Sequence, residues 1–225
     1  MDVSIKNNRQ TDSLIQPYQE NLAKEMNEVL VIAAEEFPIE KGKAQTKLGN
    51  LVADLSHLAG INLYNTKNSQ NIFMCLLNIG GLRTSLPKGE ITRGKIFELM
   101  PFENELVVVT ISDEKLDELF NYLGKYPQPI SGFFGVSYGE KDYKLFIDTE
   151  ADFDRDSTTI THEGYKILTT DYLANGGDDM SFFLNPIAYE TVGIKLRDAI
   201  IQYCIQENTN GKQLVGKLDG RISFE

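Results

Sequence analysis

The chain has 225 residues, 41% of them hydrophobic and 24% charged, and a formal net charge of −11. That composition supports a sizeable core and argues against wholesale disorder. The acidity disfavours a nucleic-acid backbone or an anionic membrane surface as partner, although a local Arg can still hold a small phosphorylated ligand.

Residues 1–16 are largely polar and are expected to be a flexible segment, with one domain over 17–225. No run reaches the ~18–20 apolar residues of a membrane span. The polar start does not read as a signal peptide, so the chain is expected to be cytoplasmic or a mature form without its leader. From about Pro17, Leu22, Met26 and Leu30 recur at helical spacing, and "VLVIAA" reads as a buried strand. "KLGNLVADLSHLAG" predicts an amphipathic helix closed by Gly60, with His57 on its solvated side.

"NIFMCLLN" and "ELVVVTIS" read as strands. Ser112 is placed to cap a helix whose Leu116, Leu119, Phe120 and Leu123 turn inward. "GFFGVSYGEKDYKLFID" predicts a hairpin turning at 139–142, and "YKILTT" another strand. "YETVGIKLRDAIIQYC" reads as a helix burying Val192, Leu196, Ala199, Ile200 and Tyr203, and "GRISFE" as a closing strand. Helices and strands mix without strict alternation, which predicts an α+β single domain with a mixed β-sheet packed by helices. Cys75 and Cys204 lie in apolar runs without CxxC spacing and read as buried free thiols.

Two glycine pairs carry the chemistry. "NIGGLR" (78–83) and "TTDYLANGGDD" (169–179) each follow a predicted strand, and ligands commonly bind at strand carboxyl ends. Glycine pairs permit positive φ and close backbone approach. Arg83 offers a planar fork of donors suited to phosphate or ribose oxygens. Asp178 offers an acceptor for sugar hydroxyls, and Phe102 and Tyr172 offer flat faces for a base. "DFDRDSTTITHE" matches the acidic spacing of an EF-hand loop at Asp152, Asp154, Asp156 and Glu163. Ser157 stands where the turn glycine is needed and no helix pair flanks the loop, so a solvated acidic turn with an exposed His162 is expected.

The stretches "LGNLVADL", "NIGGLRTSLPKGEITRGKIFELMPFENELVVV" and "TTDYLANGGDD" together resemble the C-terminal domain of the 5'-nucleotidase/UDP-sugar hydrolase family, in the family's order, over about Pro17 to Phe224. The resemblance implies a nucleoside pocket. Asn78 would face the base, Gly80 and Gly81 would admit the ligand, and Arg83 would hold ribose or phosphate oxygens. Phe102 and Tyr172 would stack on the base, with Tyr172 where a Phe is frequent, and Asp178 would bind ribose hydroxyls. Two departures stand out: Ala44 where the family often carries an Arg, with Lys43 nearby, and Asp179 where the last Gly of "NGGDG" is usual.

Family enzymes cleave phosphate esters at a two-metal centre in a separate metallophosphatase domain. This chain has only two His, His57 and His162, and neither Asp-x-His nor Gly-Asn-His. The resemblance therefore implies a substrate-recognition half with no catalytic residue, no metal site and no cofactor of its own. Its divalent metals are expected on a separate metallophosphatase chain, within nucleotide salvage, at the periplasm or cell surface. The rival reading is a non-catalytic ligand-binding or interaction module that has lost that partner. Ala44 and Asp179 favour the rival. The retained Asn78, Arg83, Phe102, Tyr172 and Asp178 favour recognition.

Overall fold

A computed structural model describes residues 9–64, 72–132, 134–138, 143–147 and 164–224. The 139–142 turn and the acidic loop from Asp152 to Glu163, including His162, lie outside the described residues. The organising element is a mixed sheet of five strands in the order β5-β2-β8-β4-β9. Its strands are β2 (Met74–Leu76), β4 (Glu105–Ile111), β5 (Ile130–Gly132), β8 (Tyr165–Thr170) and β9 (Ala188–Lys195). Strands β2 and β8 run parallel, and the other neighbours are antiparallel.

Both faces of this sheet are covered. Leu106, Val108, Cys75 and Leu168 point into one hydrophobic cluster, which β1 (Val29–Ala33), α2 (Lys47–Tyr64), β3 (Gly89–Thr92), α3 (Arg93–Leu99) and α6 (Leu196–Thr209) complete. Val107, Val109, Ile111, Met74, Leu76 and Ile167 point into the other, against α4 (Asp113–Lys125). Two-sided burial explains why "ELVVVTI" reads as a continuous apolar run with no polar alternation. Strands β1 and β3 pair antiparallel in a small sheet of their own, and β10 (Ile222–Phe224) pairs parallel to β6 (Phe134–Tyr138), which pairs antiparallel to β7 (Tyr143–Ile147).

The mixed α+β expectation holds, and so does the α4 cap: the Ser112 hydroxyl accepts from Lys115 N. Several local expectations are corrected. The first helix, α1, begins at Arg9, with Pro17 inside it, and Leu30 belongs to β1. Helix α2 continues past Gly60 to Tyr64. Gly60 is a packing position: a Cβ there would stand 2.7 Å from Leu168 Cδ2. His57 is buried, 5% exposed, not solvated. Its surroundings pull its pKa down to about 4, chiefly by desolvation, against a backbone hydrogen bond with Ile72.

The long helix expected from Tyr189 onward divides. Residues up to Lys195 form the edge strand β9, and only from Leu196 does the chain become helical. Tyr189, Thr191, Val192 and Ile194 suit a strand, and Gly193 at φ 89° sits within its β4 pairing, where the register shifts. Cys75 and Cys204 are buried free thiols, as expected, and burial raises both pKa values, that of Cys204 to about 12. Among the described residues no helix is long and apolar enough to cross a membrane.

Candidate nucleotide-binding site

The parallel pairing of β2 and β8 brings the two glycine turns together. Each turn follows the carboxyl end of its strand, and parallel neighbours end on the same side of the sheet. Asn78 follows β2 and leads into a 3₁₀ turn at Ile79–Gly81. After β8, Thr170 caps the short helix α5 (Asp171–Ala174), its hydroxyl accepting from Leu173 N. The chain then passes through Gly176, at φ 84°, into a second 3₁₀ turn, Gly177–Asp179.

Asp178 is the meeting point. The Asn78 amide donates from Nδ2 to Asp178 Oδ2 at 2.6 Å. The Tyr172 hydroxyl donates to the other carboxylate oxygen at 2.9 Å, and that contact raises its pKa. The Tyr122 hydroxyl donates to the Asp178 carbonyl at 2.8 Å. Asp178 and Asp179 both lie in the left-handed region, at φ 52° and 60°, a conformation that disfavours side chains other than Asn and Asp. Three donors, from the turn after β2, from α5 and from α4, thus hold this left-handed turn in one place.

The glycines serve this packing. A Cβ on Gly81 would stand 2.9 Å from Asn78 Oδ1, so Gly81 lets the Asn78 side chain fold back over its own turn. A Cβ on Gly177 would stand 2.5 Å from the Tyr172 ring, so that ring lies directly on the Gly177 backbone. Gly80 faces Asp178, whose Oδ2 lies 3.5 Å from where a Cβ would be.

Phe102 and Tyr172 are both exposed, at 41% and 47%. They lie at the same end of the sheet, because β4 begins where β8 ends: Leu106 pairs with Thr170, and Glu105 N donates to Asp171 Oδ1 at 3.2 Å. Arg83 is exposed, donates to the Gly80 carbonyl at 3.2 Å, and sits 5.9 Å from the centre of the Phe102 ring. The predicted residues therefore form two linked groups. Asn78 and Tyr172 each donate to Asp178, and Arg83 joins Gly80 to Phe102. No hydrogen bond or ion pair joins Arg83 to Asp178 among the described contacts.

Ala44 lines a shallow pocket beside the first turn, with Lys43, Thr46, Gly49, Ile79 and Gln128. The Lys43 ammonium is engaged by Glu40, and Gln128 Oε1 accepts from Ile79 N at 3.0 Å. Tyr122, Gln128 and Arg197 support the site and were not singled out from sequence. Their partners lie 49 to 97 residues away, beyond any local pattern. Only Arg197 left a trace, as a cation interrupting the apolar start of α6. Among the described residues, no group of three His, Cys, Asp or Glu side chains could hold a metal ion.

The family model of the 5'-nucleotidase, C-terminal domain, matches residues 28–185, which contain every one of the predicted site residues. The chain belongs to this family. It is 26% identical over 188 residues to the trifunctional nucleotide phosphoesterase protein YfkN of Bacillus subtilis, covering 79% of this chain and 12% of that protein. It is 23% identical over 198 residues to a human 5'-nucleotidase, covering 80% of this chain and 33% of the relative. Among solved structures, the 5'-nucleotidase precursor of Thermus thermophilus matches with a TM-score of 0.70 at 21% identity, over 96% of this chain and 43% of that one. The NAD nucleotidase of Haemophilus influenzae matches with a TM-score of 0.62 at 13% identity, over 98% and 42%. These likenesses establish the fold. The chain thus spans less than half the length of these relatives, and the part of the family it matches is the C-terminal domain.

Proposed function

We propose that this chain recognises a nucleotide or nucleoside and, when the ligand is a nucleotide, orients its phosphate ester for hydrolysis at a two-metal centre held on another chain. The observation that carries this reading is the convergence of Asn78, Tyr172 and Asp178 on one hydrogen-bonded cluster, with Arg83 and Phe102 at the same end of the sheet. In this reading the base stacks between Phe102 and Tyr172, at roughly 1–3 kcal/mol per ring. Asn78 faces the base, Asp178 accepts from ribose hydroxyls, and Arg83 turns from Gly80 to the ribose or phosphate oxygens. Gly80 and Gly81 leave the backbone open to the ligand. Binding and orientation of this kind contribute a large part of an enzyme's rate advantage.

The chain supplies recognition and the partner supplies the divalent metals, in nucleotide catabolism and salvage. A cell-surface or periplasmic setting is consistent with the likeness to the Listeria monocytogenes cell wall protein Lmo0130, 24% identical over 192 residues. Calorimetry with adenosine and AMP tests the reading: the base-stacking site takes up at least one of them at millimolar concentration or below. No heat from either ligand refutes it and favours an interaction module. The isolated chain should not hydrolyse AMP with Mn²⁺, Co²⁺ or Zn²⁺, and turnover that persists through repurification would place catalysis on this chain.

A further inference from the structure

The loop between α3 and β4, which presents Phe102, has no regular structure of its own, so something else must fix the ring. Its main-chain carbonyls converge on one side chain from α6, which packs beside α3 in the same cluster. Arg197, in the first turn of α6 and only 6% exposed, points Nη1 at the carbonyls of Met100, Pro101 and Phe102, at 3.4, 3.3 and 3.4 Å. Its Nη2 pairs with the Glu103 carboxylate, which Lys195 also engages. Its guanidinium carbon lies over Phe97, 4.2 Å from the ring centre. Beside it, Leu196 N donates to the Asn104 carbonyl at 2.9 Å. Residues 195–197 thus grip every residue from Met100 to Asn104.

We propose that Arg197 is a positioning residue for Phe102, holding the stacking ring at the angle a base requires. Its functional meaning rests on the nucleotide-binding reading above. The chemistry favours arginine over any other side chain. A planar fork of donors can satisfy several carbonyls and a carboxylate at once, whereas a lysine ammonium has three donors on a flexible stem. Met100 is buried, so its carbonyl carries a desolvation penalty once its donor is lost, and removing the fork drives the loop to rearrange towards water. Arg197 touches no ligand position itself and acts through the backbone that carries Phe102.

The chain contains no Trp, so Phe102→Trp makes the residue its own fluorescent reporter. In that background of the full chain, time-resolved anisotropy reads the local motion of the indole with no ligand present. Arg197→Met is expected to enlarge its sub-nanosecond amplitude about twofold, and Arg197→Lys by less, since a charge remains. Adenosine affinity, followed by indole quenching, should fall about tenfold for Arg197→Met and recover in part for Arg197→Lys. A lower melting temperature with unchanged indole motion in Arg197→Lys, or in a folded Arg197→Met, overturns the proposal and leaves Arg197 a purely structural residue. If adenosine and AMP bind neither the parent nor the reporter chain, the nucleotide reading fails while the anisotropy still decides whether Arg197 fixes the loop.

Discussion

Asn78 Nδ2 donates to Asp178 Oδ2 at 2.6 Å, joining two glycine turns that lie 100 residues apart in the chain. The contact exists because β2 and β8 are parallel neighbours whose carboxyl ends open on the same side of the sheet. It holds the acid that would meet a ribose in a fixed orientation before any ligand arrives. Pre-organisation of this kind lowers the ordering cost of binding.

Asp178 accepts from Asn78 on one oxygen and from Tyr172 on the other. Asp178→Asn sets an amide NH₂ against one of these donors. The Tyr172 hydroxyl can turn and accept, so the tolerated orientation keeps the amide oxygen towards Asn78. The expected loss of stability is about 1 kcal/mol, or roughly 2–4 °C in melting temperature for a domain of this size. An unchanged melting curve would mean that the cluster does not persist in solution.

Arg83→Ala removes an exposed side chain whose partners are the Gly80 carbonyl and the Phe102 face. The fold should melt within about 1–2 °C of the parent, because no buried group loses its partner. Nucleotide affinity should fall by roughly 10- to 150-fold, corresponding to a charge-assisted contact of about 1.5–3 kcal/mol. Titration calorimetry with AMP reads the effect directly. Collapse of the fold with normal binding by the remaining folded fraction would make Arg83 structural and remove it from the site.

Asp179 departs from the glycine usual at its position and holds φ at 60°. Asp179→Gly relieves the left-handed strain and removes one negative charge beside Asp178 and Tyr122, whose pKa is raised by burial first and then by both acids. Stability should rise by about 0.5–1 kcal/mol, with the melting temperature up by roughly 1–4 °C. Affinity for AMP should improve more than affinity for adenosine, since only AMP carries a phosphate to be repelled. Calorimetry with the pair separates the two effects, and equal changes for both ligands would count against an electrostatic role for Asp179.

His57 titrates near 4 in the fold, because burial disfavours the imidazolium, against an ordinary value of about 6.5. The unfolded chain therefore takes up a proton that the folded chain refuses. Stability from this group is complete above about pH 6.5 and declines as pH falls towards 4, by about 3 kcal/mol at most. His57→Leu should flatten the melting temperature between pH 6.5 and 5, where most carboxylates have yet to titrate. Parallel slopes for the parent and His57→Leu would refute the burial argument.

The sequence by itself determined the chain's family, the strands "ELVVVTI" and "YKILTT" and the Ser112 cap, because each of these is written in a short local pattern. Apolar runs, turn glycines and capping hydroxyls act within a few residues of themselves. Only the tertiary structure decided that His57 is buried and that β9 precedes α6. In both cases packing against distant elements outweighs the local helical period. It also decided what the glycines are for: Gly81 makes room for Asn78, and Gly177 for the Tyr172 ring. The grip of Arg197 on the Phe102 loop was illegible for the same reason. It joins α6 to a segment 94 to 97 residues away, and only the folded chain brings those groups within hydrogen-bond reach.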